Sequence, residues 1–416
     1  MSFDSLGLSE PLLRAVADEG YTEATAIQTG VIPAVLGGKD VCATASTGSG
    51  KTAAYLLPLL EKLAQDGRPP GTRPVKVLVL VPTRELAVQV GGSISRYGIH
   101  LPTPPRHRVF IGGVSINPQM MALRGGADVV VATPGRLLDL VDSNALSLAS
   151  VSTLVLDEAD RLLDRGFADE VQRVLSLVPE SRQTLLFSAT FGPGVTEMVT
   201  SVLRDPVRVD VSREPGEVPA IHHRAIEVDA RRRAELLSLL IDEGDWSRVL
   251  VFVATKHTTE HVARQLRDAG INATALHGKL SQGARTEALD SFRDGEIRVL
   301  VATDLAARGL DIAGLPVVFQ YDLPRSTIDY IHRTGRTGRA GETGLAICFV
   351  TAEMHAHFAL IERRHRLDIE LGHMDGFEPI DKPPPSPPTG GVKGKRKSKK
   401  DKLREAAARA ASGTKE

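Results

Sequence analysis

The 416-residue chain is poor in cysteine, has no long apolar run and carries no net charge. Its two cysteines, Cys42 and Cys348, stand far apart, with neither CxxC spacing nor a neighbouring histidine. A disulfide framework and a zinc site are therefore not expected, and a reducing cytoplasm is the natural setting. No apolar run approaches the length of a membrane span, and the Met1-Ser2-Phe3-Asp4 opening lacks a signal-peptide layout. His222, His223 and His277 have no partners at metal spacing and read as structural or exposed. The zero charge is unevenly spread. Residues 381–416 hold eleven basic against four acidic side chains, a balance of +7 that leaves −7 on the rest. Any polyanion bound by the body must therefore meet a local patch.

With 25% charged and 42% hydrophobic residues, the chain is an ordinary globular protein long enough for two or three domains. The body alternates strands and helices. Val75–Val81, Asp128–Ala132, Val151–Leu156 and Thr184–Phe187 are short apolar runs ending in functional-looking turns, followed by a second series at Arg248–Val253, Arg298–Ala302 and Leu315–Tyr321. Runs apolar on both faces are what parallel strands in α/β proteins look like. Thr259–Ala269, between two of them, carries Val262, Ala263, Leu266 and Ala269 at helical spacing. Val129-Val130-Val131-Ala132-Thr133 resembles Val299-Leu300-Val301-Ala302-Thr303, which suggests two related α/β units, although similar strand-plus-turn chemistry can arise independently.

A polar stretch broken by Pro and Gly, Ser212-Arg213-Glu214-Pro215-Gly216-Glu217, places a linker at 209–219 between units at 1–208 and 220–376. From 377 to 416 a disordered tail is expected. It contains the polyproline spacer Pro383–Pro388, the basic run Lys393–Lys402 and a marginal short helix at Leu403–Ala411. The tail serves equally well as a solubilising appendage or a nucleic-acid tether, since such runs bind any polyanion.

Two segments carry the chemistry. Ala45-Ser46-Thr47-Gly48-Ser49-Gly50-Lys51-Thr52 is a glycine-rich turn whose backbone N–H groups can wrap phosphates, with a lysine for the β/γ-phosphates and a hydroxyl for Mg²⁺. Asp157-Glu158-Ala159-Asp160 follows the apolar run Val151–Leu156, where one carboxylate can hold the metal and the next orient the attacking water. Alone, the acidic segment would equally suit a solvated helix start. Together, in this order and each behind a strand, the two describe an NTP-hydrolysis site.

From Phe3 to about Phe377 the chain resembles the DEAD-box ATP-dependent RNA helicases of superfamily 2. Its Met1–Ser9 opening and Gly376-Phe377-Glu378-Pro379 ending look like the RhlE-type branch. The resemblance implies two RecA-like domains, each a mostly parallel sheet flanked by helices, on a flexible linker, with ATP in the cleft and RNA across both. It implies that Gln28 bonds the adenine edge, Tyr21 stacks on the base and Asp311 binds the ribose. Lys51 and Thr52 would serve the phosphates and Mg²⁺, Asp157 would hold the metal largely through water, and Glu158 would be the base. Arg336 and Arg339, in His332-Arg333-Thr334-Gly335-Arg336-Thr337-Gly338-Arg339, would be arginine fingers. Asp160, Ser188, Thr190 and His332 would couple hydrolysis to RNA. Pro82, Thr83, Arg84, Gly112, Gly113, Thr133, Pro134, Gly135 and Arg136, with Gln282, Arg285 and Thr303 from the second unit, would contact the RNA backbone. Small residues, hydroxyls and arginines suit phosphate and sugar rather than base edges, so binding is expected to be sequence-independent, with 2′-hydroxyls favouring RNA over DNA.

The expected activity is ATP-dependent local unwinding of short RNA duplexes, with proteins of ribosome assembly or RNA decay as partners and no membrane association. The alternatives are an ATP-gated RNA clamp or scaffold without productive unwinding, and a DNA-acting translocase of the same superfamily. Ala45 replaces the first glycine of the strict phosphate-loop pattern, as is usual in the family. Two departures from the family pattern stand out. Ser46 stands where the family often has glutamine. Ala24 and Ala26 occupy positions usually held by prolines, which should loosen the turn presenting Gln28 and weaken selection of ATP over GTP.

Overall fold

The computed structural model describes residues 1–45, 48–66, 73–163, 167–211, 221–307, 314–338 and 343–381. The first unit is built on strands β1 (Val41–Thr44), β2 (Val77–Leu80), β3 (His107–Phe110), β4 (Val129–Ala132), β5 (Thr153–Leu156), β6 (Gln183–Ser188) and β7 (Val207–Asp210). They form one seven-stranded sheet in the order β3-β4-β2-β5-β6-β1-β7. The second unit uses β8 (Ile221–Glu227), β9 (Val249–Val253), β10 (Ala273–Leu276), β11 (Val299–Thr303), β12 (Val317–Gln320), β13 (Gly344–Val350) and β14 (Leu371–Gly372), in the order β10-β11-β9-β12-β13-β8-β14. Every pairing in both sheets is parallel. Counted from its own first strand, each sheet has the same order. The resemblance noted between Val129–Thr133 and Val299–Thr303 therefore falls on topologically equivalent strands, β4 and β11.

Helices cover both faces of each sheet, and the strands are apolar on both sides for that reason. Along β2, Val77 and Val79 enter one core while Leu78 and Leu80 enter the other. Along β9, Val249, Val251 and Val253 face one side, Leu250 and Phe252 the opposite. Side chains alternate across a strand, so each apolar run is divided between two cores. None of the described helices is long and apolar enough to cross a membrane.

The ends of the units differ from the positions expected from composition. Strand β7 continues to Asp210, inside the segment assigned to the linker, because it pairs with β1 and packs on a glycine. A Cβ at Gly30 would lie 2.8 Å from Val209 Cγ1. At the other end, Phe377 is buried beneath the Arg232 guanidinium, 4.2 Å from its ring centroid. The Asp229 carboxylate then accepts the backbone N–H groups of Ile380 and Asp381, at 3.1 and 2.9 Å. The chain thus stays on the second unit through Asp381. The proline-rich and basic segments of the expected tail lie outside the described residues, as do 212–220 of the linker region.

Candidate ATP and RNA sites

The phosphate loop joins β1 to the helix Lys51–Gln65, and its glycines are there for shape. Gly48 and Gly50 have φ of 82° and 91°, in the left-handed region that favours glycine. A Cβ at Gly50 would also sit 2.5 Å from Gln28 Nε2. Lys51 is buried and donates from Nζ to the Ala45 carbonyl at 3.0 Å, which closes the loop on itself. Ser46 and Thr47 lie outside the described residues.

The segment before the loop is tied to it by hydrogen bonds. Gln28 Oε1 accepts from Thr25 N at 2.9 Å, Gln28 Nε2 donates to Gly50 O at 3.3 Å, and Thr25 Oγ1 donates to Ser49 O at 2.9 Å. These bonds hold the turn whose usual prolines are replaced by Ala24 and Ala26. They also place both ends of the buried Gln28 carboxamide on backbone, beneath the loop, rather than on the cleft wall. Tyr21 does line the cleft, with its hydroxyl 3.4 Å from that of Tyr97.

Across the sheet, β5 ends at the acidic pair. Asp157 is buried, and burial raises its carboxyl pKa while the charge of nearby Lys51 opposes that rise. Its Oδ1 accepts the Glu158 N–H at 2.9 Å and its Oδ2 accepts the Tyr55 hydroxyl at 3.0 Å. Glu158 has φ of 53°, a left-handed backbone that is strained for a side chain with a Cβ, of a kind found at functional sites. Its Oε2 receives Arg161 Nη1 at 3.0 Å, and both partners are under 10% exposed. Gly48, Gly50, Lys51, Thr52, Asp157 and Glu158 share one cleft of about 540 Å³ with Arg293 and Arg336 of the second unit. Thr52 and Asp157 give that cleft the oxygen donors a hard cation takes, so the residues present fit a magnesium–nucleotide complex. Arg339 and Asp311 lie outside the described residues. Arg333 is held within its own unit, with Nε and Nη2 on the Asp304 carboxylate at 2.5 and 2.7 Å.

The coupling residues meet where the units face each other. Asp160 Oδ2 accepts both Thr190 N at 3.1 Å and Thr190 Oγ1 at 2.8 Å, and Ser188 Oγ donates to Thr190 O at 2.7 Å. Asp160, Arg161 and Thr190 border a cavity of about 260 Å³ closed from the second unit by Ser326, Asp329 and His332. Burial first, then the Arg161 charge, push the His332 pKa down from 6.5 to about 4, against Asp160, Asp329 and Glu158, which pull it up. The ring therefore stays neutral while the units are together. Above about pH 6.5 closure takes up no proton at this site. As pH falls towards 4, the separated units bind a proton that the closed arrangement refuses, and closure weakens. ATP-dependent RNA affinity should fall about tenfold between pH 7 and 5 in a binding titration, and His332→Gln should flatten that change. A wild-type profile flat over this range would show that His332 is not buried by closure.

The expected RNA residues cluster at strand ends and helix starts. Thr83 caps the helix Arg84–Tyr97 through Leu86 N at 3.3 Å, next to the buried Pro82. Arg84 lies across Gly113, whose Cβ would be 2.1 Å from Arg84 Nη1. With φ of 79°, Gly113 sits in the left-handed region that favours glycine. Gly112 has open space around its Cα. Thr133 and Pro134 start the helix Pro134–Asp142, and Gly135 approaches Glu170. Arg136 donates one bond, Nη2 to Val114 O at 2.8 Å, and its buried Nε and Nη1 make no hydrogen bond. In the second unit, Gln282 starts the helix Gln282–Arg293 with Oε1 buried and unbonded, and Thr303 ends β11. Arg285 is placed differently. It is buried, with Nε and Nη2 on Glu85 Oε1 of the first unit at 2.8 and 2.6 Å. Sequence reading missed Tyr55, whose partner Asp157 lies far along the chain, and Arg161 and Arg293, whose places beside Glu158 and in the cleft appear only in the fold; it read Glu85 as part of an RNA-contacting segment, with no partner across the units.

Comparison with known proteins accords with this geometry. Residues 25–198 match the family described as DEAD/DEAH box helicase, and 231–341 match the helicase conserved C-terminal domain. The chain is 40% identical over 364 residues to a DEAD-box ATP-dependent RNA helicase, CshA, of Bacillus cereus, spanning 87% of this chain and 68% of that protein. It is 42% identical over 355 residues to the ATP-dependent RNA helicase DeaD of Mycobacterium tuberculosis, spanning 85% of this chain and 62% of that one. The structure of S. cerevisiae Dbp5 bound to RNA and ADP BeF3 superposes with a TM-score of 0.79 at 30% identity, covering 91% and 96% of the two chains. Both units are RecA-like, and the chain belongs to the DEAD-box RNA helicase family.

Proposed function

We propose that the chain hydrolyses ATP in the cleft between its units, grips single-stranded RNA when that cleft closes, and thereby opens short duplexes locally. One observation carries the reading. The phosphate loop and acidic pair come from the first unit and Arg336 from the second, so the hydrolytic site is whole only when the units meet. Lys51 and the loop amides face the β/γ-phosphates, Glu158 orients the attacking water and takes its proton, and Arg336 stabilises charge on the transferring phosphoryl group. Thr52 and Asp157 would hold Mg²⁺, which when bound neutralises charge on the phosphates. Asp160, Thr190 and His332 convey closure to the RNA face. There Thr83, Arg84, Gly113, Thr133, Arg136, Gln282 and Thr303 meet backbone rather than bases. Gln28 acts through the phosphate loop it is bonded to, holding Gly50 in place at its base.

The same proposal places the chain in the RhlE-type branch, on its opening and ending residues, in a cytoplasmic setting supported by Cys42 and Cys348 being buried and free. Its units fall at 1–210 and 221–381, and its partners belong to ribosome assembly or RNA decay. The test is ATP hydrolysis with and without single-stranded RNA, beside DNA of matching sequence. RNA should stimulate turnover at least about tenfold, since completing a phosphoryl-transfer site with an arginine is worth ~10³ or more in kcat. Equal stimulation by DNA would favour the translocase alternative. Stimulation by RNA without duplex separation would favour the clamp.

A further inference from the structure

We infer that Tyr55 is a positioning residue for the metal-binding carboxylate, an inference that rests on the assignment of Thr52 and Asp157 above. Tyr55 lies one helical turn beyond Lys51 on the helix that leaves the phosphate loop, so both side chains project towards the acidic pair. It is fully buried, and a buried phenol needs a partner for its hydroxyl. That hydroxyl donates to Asp157 Oδ2 at 3.0 Å, and Tyr55 follows Thr52 by three residues on the same helix. It therefore ties the helix that carries Thr52 to Asp157, the two residues assigned to the metal. The other carboxylate oxygen, Oδ1, accepts the Glu158 N–H at 2.9 Å. Two donors, one on each oxygen, fix the plane and rotation of the Asp157 carboxylate before any ligand arrives.

A phenylalanine would fill the core equally well. The ring packs on Phe187, centroids 5.1 Å apart at 50°, and that contact needs no hydroxyl. The oxygen is what packing leaves unexplained, and the bond it makes is to a group at the cleft. Phe187 also directly precedes Ser188, so Tyr55 joins the phosphate-loop helix to Asp157 on one side and to the start of the coupling segment on the other. Groups that orient a metal's ligands typically change metal affinity about 10- to 100-fold when removed.

The experiment is a titration of Mg²⁺ against binding of a fluorescent ADP to the full chain, in wild type, Tyr55→Phe and Asp157→Asn. Melting of the ligand-free proteins is measured alongside. Tyr55→Phe should raise the Mg²⁺ concentration for half-maximal binding about tenfold. It should leave ADP affinity without Mg²⁺ and at saturating Mg²⁺ as in wild type, and it should raise the Mg²⁺ requirement of kcat more than the KM for ATP. A melting change without a Mg²⁺ shift would make the hydroxyl purely structural and overturn the inference. An unshifted Tyr55→Phe beside a shifted Asp157→Asn would also overturn it, with the metal assignment intact. If Asp157→Asn leaves the Mg²⁺ dependence unchanged, the metal assignment itself fails, and the inference with it.

Discussion

Glu158→Gln will lower the rate of ATP hydrolysis by at least about a thousandfold while leaving the chain able to close on ATP and RNA. The amide keeps the shape of the carboxylate and can still accept from Arg161, so the left-handed turn at residue 158 and its buried contact persist. What it cannot do is take a proton from water. With the exit from the closed state removed, RNA should dissociate more slowly in ATP than in ADP, by a margin wider than in wild type. Single-turnover hydrolysis and filter binding in the two nucleotides measure both effects. RNA affinity indifferent to ATP in this variant would mean that Glu158 does not act at the step that reopens the cleft.

Breaking the Glu85–Arg285 pair should produce the second large effect, on closure instead of chemistry. The pair joins the first helix after β2 to the second unit, with both side chains under 7% exposed. Removing one partner of a buried pair leaves the other charged and desolvated, at a penalty of about 3–5 kcal/mol. Here the penalty applies only where the units meet, since apart each side chain regains water. Glu85→Ala should therefore weaken RNA binding with a non-hydrolysable ATP analogue about 100-fold or more. It should leave the melting temperature and ADP binding in the absence of RNA near wild type. Combining Glu85→Arg with Arg285→Glu should recover part of the loss. Equal losses with and without nucleotide would instead indicate damage within one unit.

The legible and illegible parts of this molecule divide along physical lines. Strands β2, β4, β5, β9 and β11 announce themselves as apolar runs because helices cover both their faces. Strand β7, Val-Arg-Val-Asp at a sheet edge, does not, and nor does β8, whose Ile-His-His-Arg start is partly exposed. Both belong to the sheets through backbone pairing, which leaves no mark on composition. The phosphate loop and the acidic pair were readable because each needs its residues contiguous: glycines for a left-handed turn, carboxylates at a strand end. Glu85, Arg161 and Tyr55 were not. Glutamate in a helix and tyrosine in a core are ordinary, and their meaning comes from Arg285, Glu158 and Asp157. Arg285 was picked out for RNA, and in the closed arrangement its guanidinium is on a carboxylate. Gln28 was picked out for adenine, and its amide is bonded to the loop it was expected to act beside. In each case the partner seen in the structure depends on the three-dimensional arrangement.

The repeated strand order has one more consequence. Strand β8 holds the place in the second sheet that β1 holds in the first, so the turn from Val228 to Arg232 corresponds to the phosphate loop. In one copy, backbone amides curl to receive an anion from outside. In the other, the anion is built in as Asp229, and the amides it receives are those of Ile380 and Asp381. The polarity of a nucleotide cradle has been inverted into a mooring for the segment Ile380–Asp381. Strand termini of this kind are where open parallel sheets present their ligands, so that mooring occupies in the second sheet the place the phosphate takes in the first.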